Sequence, residues 1–143
     1  MVEVLVDIET AKLAKEKGFH TCCGHYFLVG LKENGIVEVG KWKGFEGSSA
    51  NHFSDRSNET FEEITRPSQS LLQQWLRKKY NLHVTPRETF TYALTTNIGF
   101  YANVIKPDPT SEECFVSLHN AMYFESEYET ALEIGLKEAL KTL

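Results

Sequence analysis

Hydrophobic positions recur at helical spacing in three stretches of the chain and alternate with polar ones in the runs between them. In residues 7–19, Ile8, Ala11, Leu13 and Ala14 mark a thin apolar side, with Asp7 as N-cap and Gly18-Phe19 suited to a left-handed helix end. Side chains this small predict a short helix that lies over its neighbours as a lid. In residues 68–80, Leu71, Leu72, Trp75, Leu76 and Tyr80 fall on one helical face, and Gln73, Gln74, Arg77 and Lys78 on the other. Pro67 and Ser68 supply a start, Arg77, Lys78 and Lys79 complement the negative end of the dipole, and Asn81 can take the left-handed conformation that stops the helix. In residues 126–143, Tyr128, Leu132, Leu136, Ala139, Leu140 and Leu143 trace a third stripe, and Ser126 and Glu129 have the spacing of a capping box. Gly135 lies inside that helix, where it costs about 1 kcal/mol relative to alanine. A close backbone approach to a sheet or to the Trp75 helix is the expected reason for it.

The intervening runs read as strands. Residues 25–42 carry β-prone segments on either side of Asn34-Gly35, whose readiness to take positive φ makes it a strong hairpin signal. Ile36, Glu38 and Gly40 alternate there with Val37, Val39 and Lys41, so one face of the hairpin is expected to be buried. Residues 89–96 alternate Phe90, Tyr92 and Leu94 with Thr91, Ala93 and Thr95. A turn at residues 96–99 leads to a return strand over 100–106, and residues 114–119 form a third strand with an irregularity near Asn120. Residues 44–66, rich in Gly, Ser, Asn and charge, read as one long loop, with a helical turn over residues 58–64. The pattern predicts an α+β fold taken as a single domain over residues 1–143. Its parts are a short helix and hairpin in residues 1–43, the loop, and a helix–three antiparallel strands–helix unit in residues 67–143.

Composition narrows the class of protein. At 143 residues, with 41% apolar and 24% charged side chains, the chain can bury a core without staples. It has neither a run of about 20 apolar residues nor a basic, apolar leader, which predicts no membrane association. Three cysteines, two of them adjacent, make a poor disulfide framework and imply a reduced, cytoplasmic setting. A net charge of −5 disfavours nucleic acid as a partner. The charge is uneven, however. Arg66, Arg77, Lys78, Lys79 and Arg87 occur in a stretch without acids, while residues 108–143 hold eight acids against Lys137 and Lys141. Helix-end electrostatics accounts for most of this pattern.

Reactive side chains are densest in His20-Thr21-Cys22-Cys23-Gly24-His25. His20, Cys22, Cys23 and His25 are a candidate zinc set, which Cys114, His119, His83 or His52 could complete. Against it stand the lack of a C-x-x-C pair and the opposite directions that adjacent cysteines take on a strand. A cysteine nucleophile activated by His20 or His25 is the catalytic version, but no helix N-terminus follows either thiol to lower its pKa. Glu112, Glu113, Glu125 and Glu127 fall in loops or at a cap, where solvated roles are the expectation. The phosphate-loop, dinucleotide and nucleophile-elbow motifs are missing from the sequence, which predicts no catalysis and no cofactor.

The helix–three strands–helix order of the second half is similar to the topology of double-stranded-RNA-binding domains. That resemblance implies phosphate contacts from lysines at the start of the final helix, a place held here by Ser126-Glu127-Tyr128-Glu129. Separately, ETAKLAKEKGF (9–19), PSQSLLQQWLR (67–77) and YETALEIGLKEAL (128–140) resemble a family of small uncharacterised proteins of anaerobic gut bacteria, their phages and other mobile elements. The resemblance implies an accessory protein of a prophage or integrated element and carries no catalytic residues with it. The expectation is a binding module without catalytic activity. Its partner would be a protein, met by Gln74, Arg77 and Lys78 on the polar side of the Trp75 helix.

Overall fold

The computed structural model describes residues 3–21, 23–31, 37–43, 53–56, 59–90, 98–113, 115–120 and 127–143. Helices and antiparallel sheets are combined in an α+β fold, as the pattern predicts. The chain divides into two compact units, Leu5–Ser68 and Met1–Val4 with Gln69–Leu143. Among the described residues, no helix is long and apolar enough to cross a membrane.

In the Leu5–Ser68 unit, α1 (Ile8–Glu16) starts where Asp7 accepts a hydrogen bond from the Thr10 amide at 2.8 Å. It ends in a Schellman closure. Gly18 takes φ 94°, its amide donates to Lys15, and the Phe19 amide reaches back to Ala14 at 2.9 Å. Thr10, Ala11 and Ala14 are buried, so the thin face consists of side chains that let the helix lie close to the strand beneath it. That strand is β4 (Glu59–Thr65). It belongs to a four-stranded antiparallel sheet in the order β2 (Val37–Lys43), β1 (His25–Leu31), β4, β3 (Phe53–Arg56). The β1–β2 hairpin forms with Leu31 opposite Val37, and the Asn34-Gly35 turn lies outside the described residues. Phe27 and Val29 on β1 and Ile64 on β4 are buried with Val6 and Phe19, a core for this unit.

The long loop expected over residues 44–66 is corrected by β3 and β4, which occupy much of it. The helical turn expected at residues 58–64 is a strand. Its residues 59–65, ETFEEIT, carry two large apolar side chains an odd number of residues apart, so period-two alternation never shows. What recruits the segment is β1, whose second edge pairs with it, Phe27 opposite Ile64. Pairing and burial here override a sequence of low β-propensity.

The second unit runs α2 (Gln69–Tyr80), β5 (His83–Phe90), β6 (Ile98–Pro107), β7 (Phe115–Asn120) and α3 (Tyr128–Lys141). The three strands form an antiparallel sheet in that order. The first two strands begin earlier than expected, and residues 91–97, which include most of the expected 89–96 strand, lie outside the described residues. β5 begins at His83, directly after the helix stop, and Ile98 and Gly99 belong to β6 instead of a turn. Pro86 hides the early start of β5. It is tolerated because β5 is an edge strand and can spare a donor. The irregularity expected near Asn120 is a register shift two residues earlier: Val104 pairs with His119 and Ile105 with Ser117, leaving Leu118 as the extra residue.

Leu72 and Leu76 of α2 are fully buried, while Leu71, Trp75 and Tyr80 are half-buried. Asn81 takes φ 54° and ends the helix as expected. The N-cap of α3 is Glu127, whose side chain makes no capping bond, and Ser126 of the expected capping box lies outside the described residues. Ala131, Leu132, Gly135, Leu136, Ala139 and Leu140 face the core, whereas Tyr128 and Leu143 at the ends of the expected stripe are exposed.

Gly135 is where α3 meets the sheet. A Cβ there would stand 2.6 Å from the Ala102 Cβ and 2.7 Å from a Val84 methyl, closer than atoms can approach. Both neighbours are buried and held in paired strands, Ala102 on β6 and Val84 on β5. At an exposed helical position, Gly→Ala would stabilise by about 1 kcal/mol. Here overpacking, which costs about 1–3 kcal/mol, outweighs that gain. Gly135→Ala is therefore expected to lower the urea-unfolding free energy, by up to about 2 kcal/mol.

Candidate functional site

The polar side of α2 stands where the helical spacing put it. Gln74, Arg77 and Lys78 are exposed, in a helix whose twelve residues include no acid. Among the described residues, neither Arg77 nor Lys78 has an ion-pair partner. Lys79 is engaged differently. Its ammonium lies 5.3 Å from the ring centroid of Trp75 and 5.4 Å from that of Tyr80. The two rings meet edge to face at 5.2 Å. On the helix's other flank, Gln73 donates to the Val84 carbonyl at 2.6 Å and fixes α2 to β5.

The basic residues divide between the two units. Arg66 belongs to the Leu5–Ser68 unit, where its amide donates to the His25 carbonyl at 2.9 Å and its Nε to the Val6 carbonyl at 3.0 Å. Its guanidinium lies 4.7 Å over the Phe27 ring. Arg66 thus ties the N-terminal segment to β1. Arg87 is exposed on β5, in the other unit. What remains for a local basic site is the last turn of α2.

The candidate metal set is only partly within view. His20 is exposed, and His25 and Cys23 are half-buried at the start of β1. The Cys23 thiol lies 3.4 Å from the His25 carbonyl and donates to it. Cys22, Cys114 and His52 lie outside the described residues. Among the described residues, no group of three His, Cys, Asp or Glu side chains converges on a point that could hold a metal ion.

Acidic residues of the second unit are mostly solvated. Glu127 and Glu129 are exposed at the start of α3, as are Glu112 and Glu113 in the turn before β7. Glu133 is half-buried. It accepts from the buried Gln69 amide at 2.8 Å, and the same nitrogen also donates to the Glu129 carbonyl at 2.9 Å. Gln69 so joins the first turn of α2 to α3, a role its position on the helix did not announce. The exposed apolar row Phe115, Val116 and Leu118 on β7 was also missed. The strand itself is legible in the sequence, but its place at the sheet edge is not.

Comparison with protein-family models, with curated proteins and with solved structures gives no match.

The turn at residues 108–111 holds the unit's clearest electrostatic feature. Asp108 accepts from the Thr110 hydroxyl at 2.6 Å and from the Thr110 amide at 2.9 Å. The hydroxyl first, and the amide second, hold its carboxyl below the usual carboxylate range. Because the folded-state pKa is depressed, the contribution to stability is present above the unfolded pKa and fades as pH falls through the folded one. NMR titration of the Asp108 carboxyl is expected to give a midpoint below that of an exposed aspartate. Thr110→Val should move it upward while leaving the amide contribution.

Proposed function

We propose that the chain is a binding module without catalytic activity that engages a protein partner through Gln74, Arg77 and Lys78. The observation that carries this reading is the last turn of α2. There two exposed cations have no ion-pair partner among the described residues, on a helix that lacks acids. Helix-dipole complementarity explains why cations are tolerated at that end. It does not require two of them to project into solvent beside an exposed glutamine. A surface of this kind suits an acidic patch, with arginine able to grip a carboxylate through two parallel hydrogen bonds.

A nucleic acid is the second reading, favoured by the α2–β5–β6–β7–α3 order and by the Arg77-Lys78-Lys79 run. Net charge counts against it. So does the opposite end of the unit, where Glu127 and Glu129 would repel phosphates at the start of α3. A zinc-binding or thiol-active role for His20, Cys22, Cys23 and His25 has less support, since the Cys23 thiol is turned to a backbone carbonyl. The resemblance to proteins of phages and mobile elements supplies a setting for the protein-binding reading: an accessory protein that acts by occupying its partner.

A photo-crosslinking residue at Gln74 is expected to capture a protein whose binding can be rebuilt from purified components. Arg77→Glu with Lys78→Glu should then weaken that binding about tenfold or more, the scale of an arginine anchor in an interface. Binding that ignores both reversals would remove α2 from the reading.

A further inference from the structure

The three-stranded sheet has two edges, and they are built differently. β5 carries Pro86, Arg87 and Glu88, residues that discourage a further strand from adding. The described edge strands of the other sheet also contain charged residues in their sequence, Glu38, Lys41 and Lys43 in β2 and Asp55 and Arg56 in β3. β7, Phe-Val-Ser-Leu-His-Asn, has neither charge nor proline. In this it matches β1, which has a neighbour on each side. Yet β7 pairs with β6 alone among the described strands. Phe115, Val116 and Leu118 are 38%, 40% and 39% exposed, and Ser117 is exposed too, so apolar surface is uncovered on both faces of the strand.

We propose that β7 is a self-association edge, and that its occupant is the β7 of a second copy, added antiparallel across a twofold axis. Charge selects that occupant. In a symmetric antiparallel pair each residue faces its own counterpart or a near neighbour, and like charges placed opposite one another destabilise. β7 has none to oppose. Among the described strands, every other edge strand contains charged residues, so among copies of this protein the uncharged edge matches itself best. The pairing would join two three-stranded sheets into one of six strands and give the backbone groups of β7 partners on both sides. The exposed apolar side chains on this short strand offer much less than the ~800 Å² per partner of a standard stable interface. The bulge at Leu118 limits the regular pairing further. Self-association is therefore weak and concentration-dependent. It does not involve the polar side of α2, so either reading can fail without the other.

Sedimentation equilibrium of the full chain up to about millimolar concentration tests this. The average mass is expected to rise from monomer toward dimer, and amide exchange in residues 115–120 to slow as concentration increases. Val116→Lys, which sets two cations near one another in the symmetric pair, should weaken dimerisation at least tenfold with an unchanged melting temperature. Leu118→Lys serves the same purpose if the first variant does not fold. A wild-type chain that stays monomeric throughout overturns the proposal, as does a folded lysine variant that dimerises like wild type. A dimer whose residues 115–120 exchange at the monomer rate overturns it too.

Discussion

The second unit depends on one missing side chain. Gly135 lets the backbone of α3 come down onto Ala102 and Val84, and no other residue leaves that space empty. With α3 seated there, Ala131, Leu132, Leu136, Ala139 and Leu140 are buried with it. Its first turns in turn receive the Gln69 amide through the Glu129 carbonyl and the Glu133 carboxylate. Gln69 at one end of α2 and the Gln73 bond to Val84 along it then fix which side of that helix faces outward. The exposure of Gln74, Arg77 and Lys78 is thus a consequence of packing that begins at a glycine.

The Leu5–Ser68 unit uses a related device with smaller parts. Thr10, Ala11 and Ala14 give α1 a face low enough to cover β4, and Phe19, whose amide closes the helix end after Gly18, is buried. Arg66 fastens the segment before α1 to β1 by two hydrogen bonds and a stacked ring. A residue that sequence charge alone would assign to a basic surface therefore has a structural role. Cationic character in the chain divides accordingly, with Arg66 hydrogen-bonded to backbone carbonyls of one unit and Arg77 and Lys78 exposed on the other.

Helices were legible because each depends on local chemistry. The Asp7 cap, the Gly18 and Asn81 stops, the buried Leu72 and Leu76, and the reason for Gly135 follow from spacing and side-chain type. Strands depend on partners, and partners are distant in sequence. β4 shows no alternation and is a strand because β1 pairs with it. The start of β5 is masked by Pro86, which an edge position tolerates. The N-cap position of α3 is Glu127, whose side chain makes no capping bond, and Ser126 of the expected capping box lies outside the described residues. Of the candidate site, Gln74, Arg77 and Lys78 could be read from helical geometry, whereas whether the cysteine and histidine cluster converges depends on tertiary placement.

The central functional claim is that the exposed cations of α2 meet a protein and not a polyanion. The most direct measurement is a salt-dependent titration of the purified chain against labelled double-stranded RNA, duplex DNA and single strands. A surface meant for protein carboxylates, in a chain of net charge −5, predicts no binding even at low salt. Binding with a steep salt slope, lost when Arg77, Lys78 and Lys79 are replaced by glutamine, would contradict the account and make the α2–β5–β6–β7–α3 unit a nucleic-acid-binding domain.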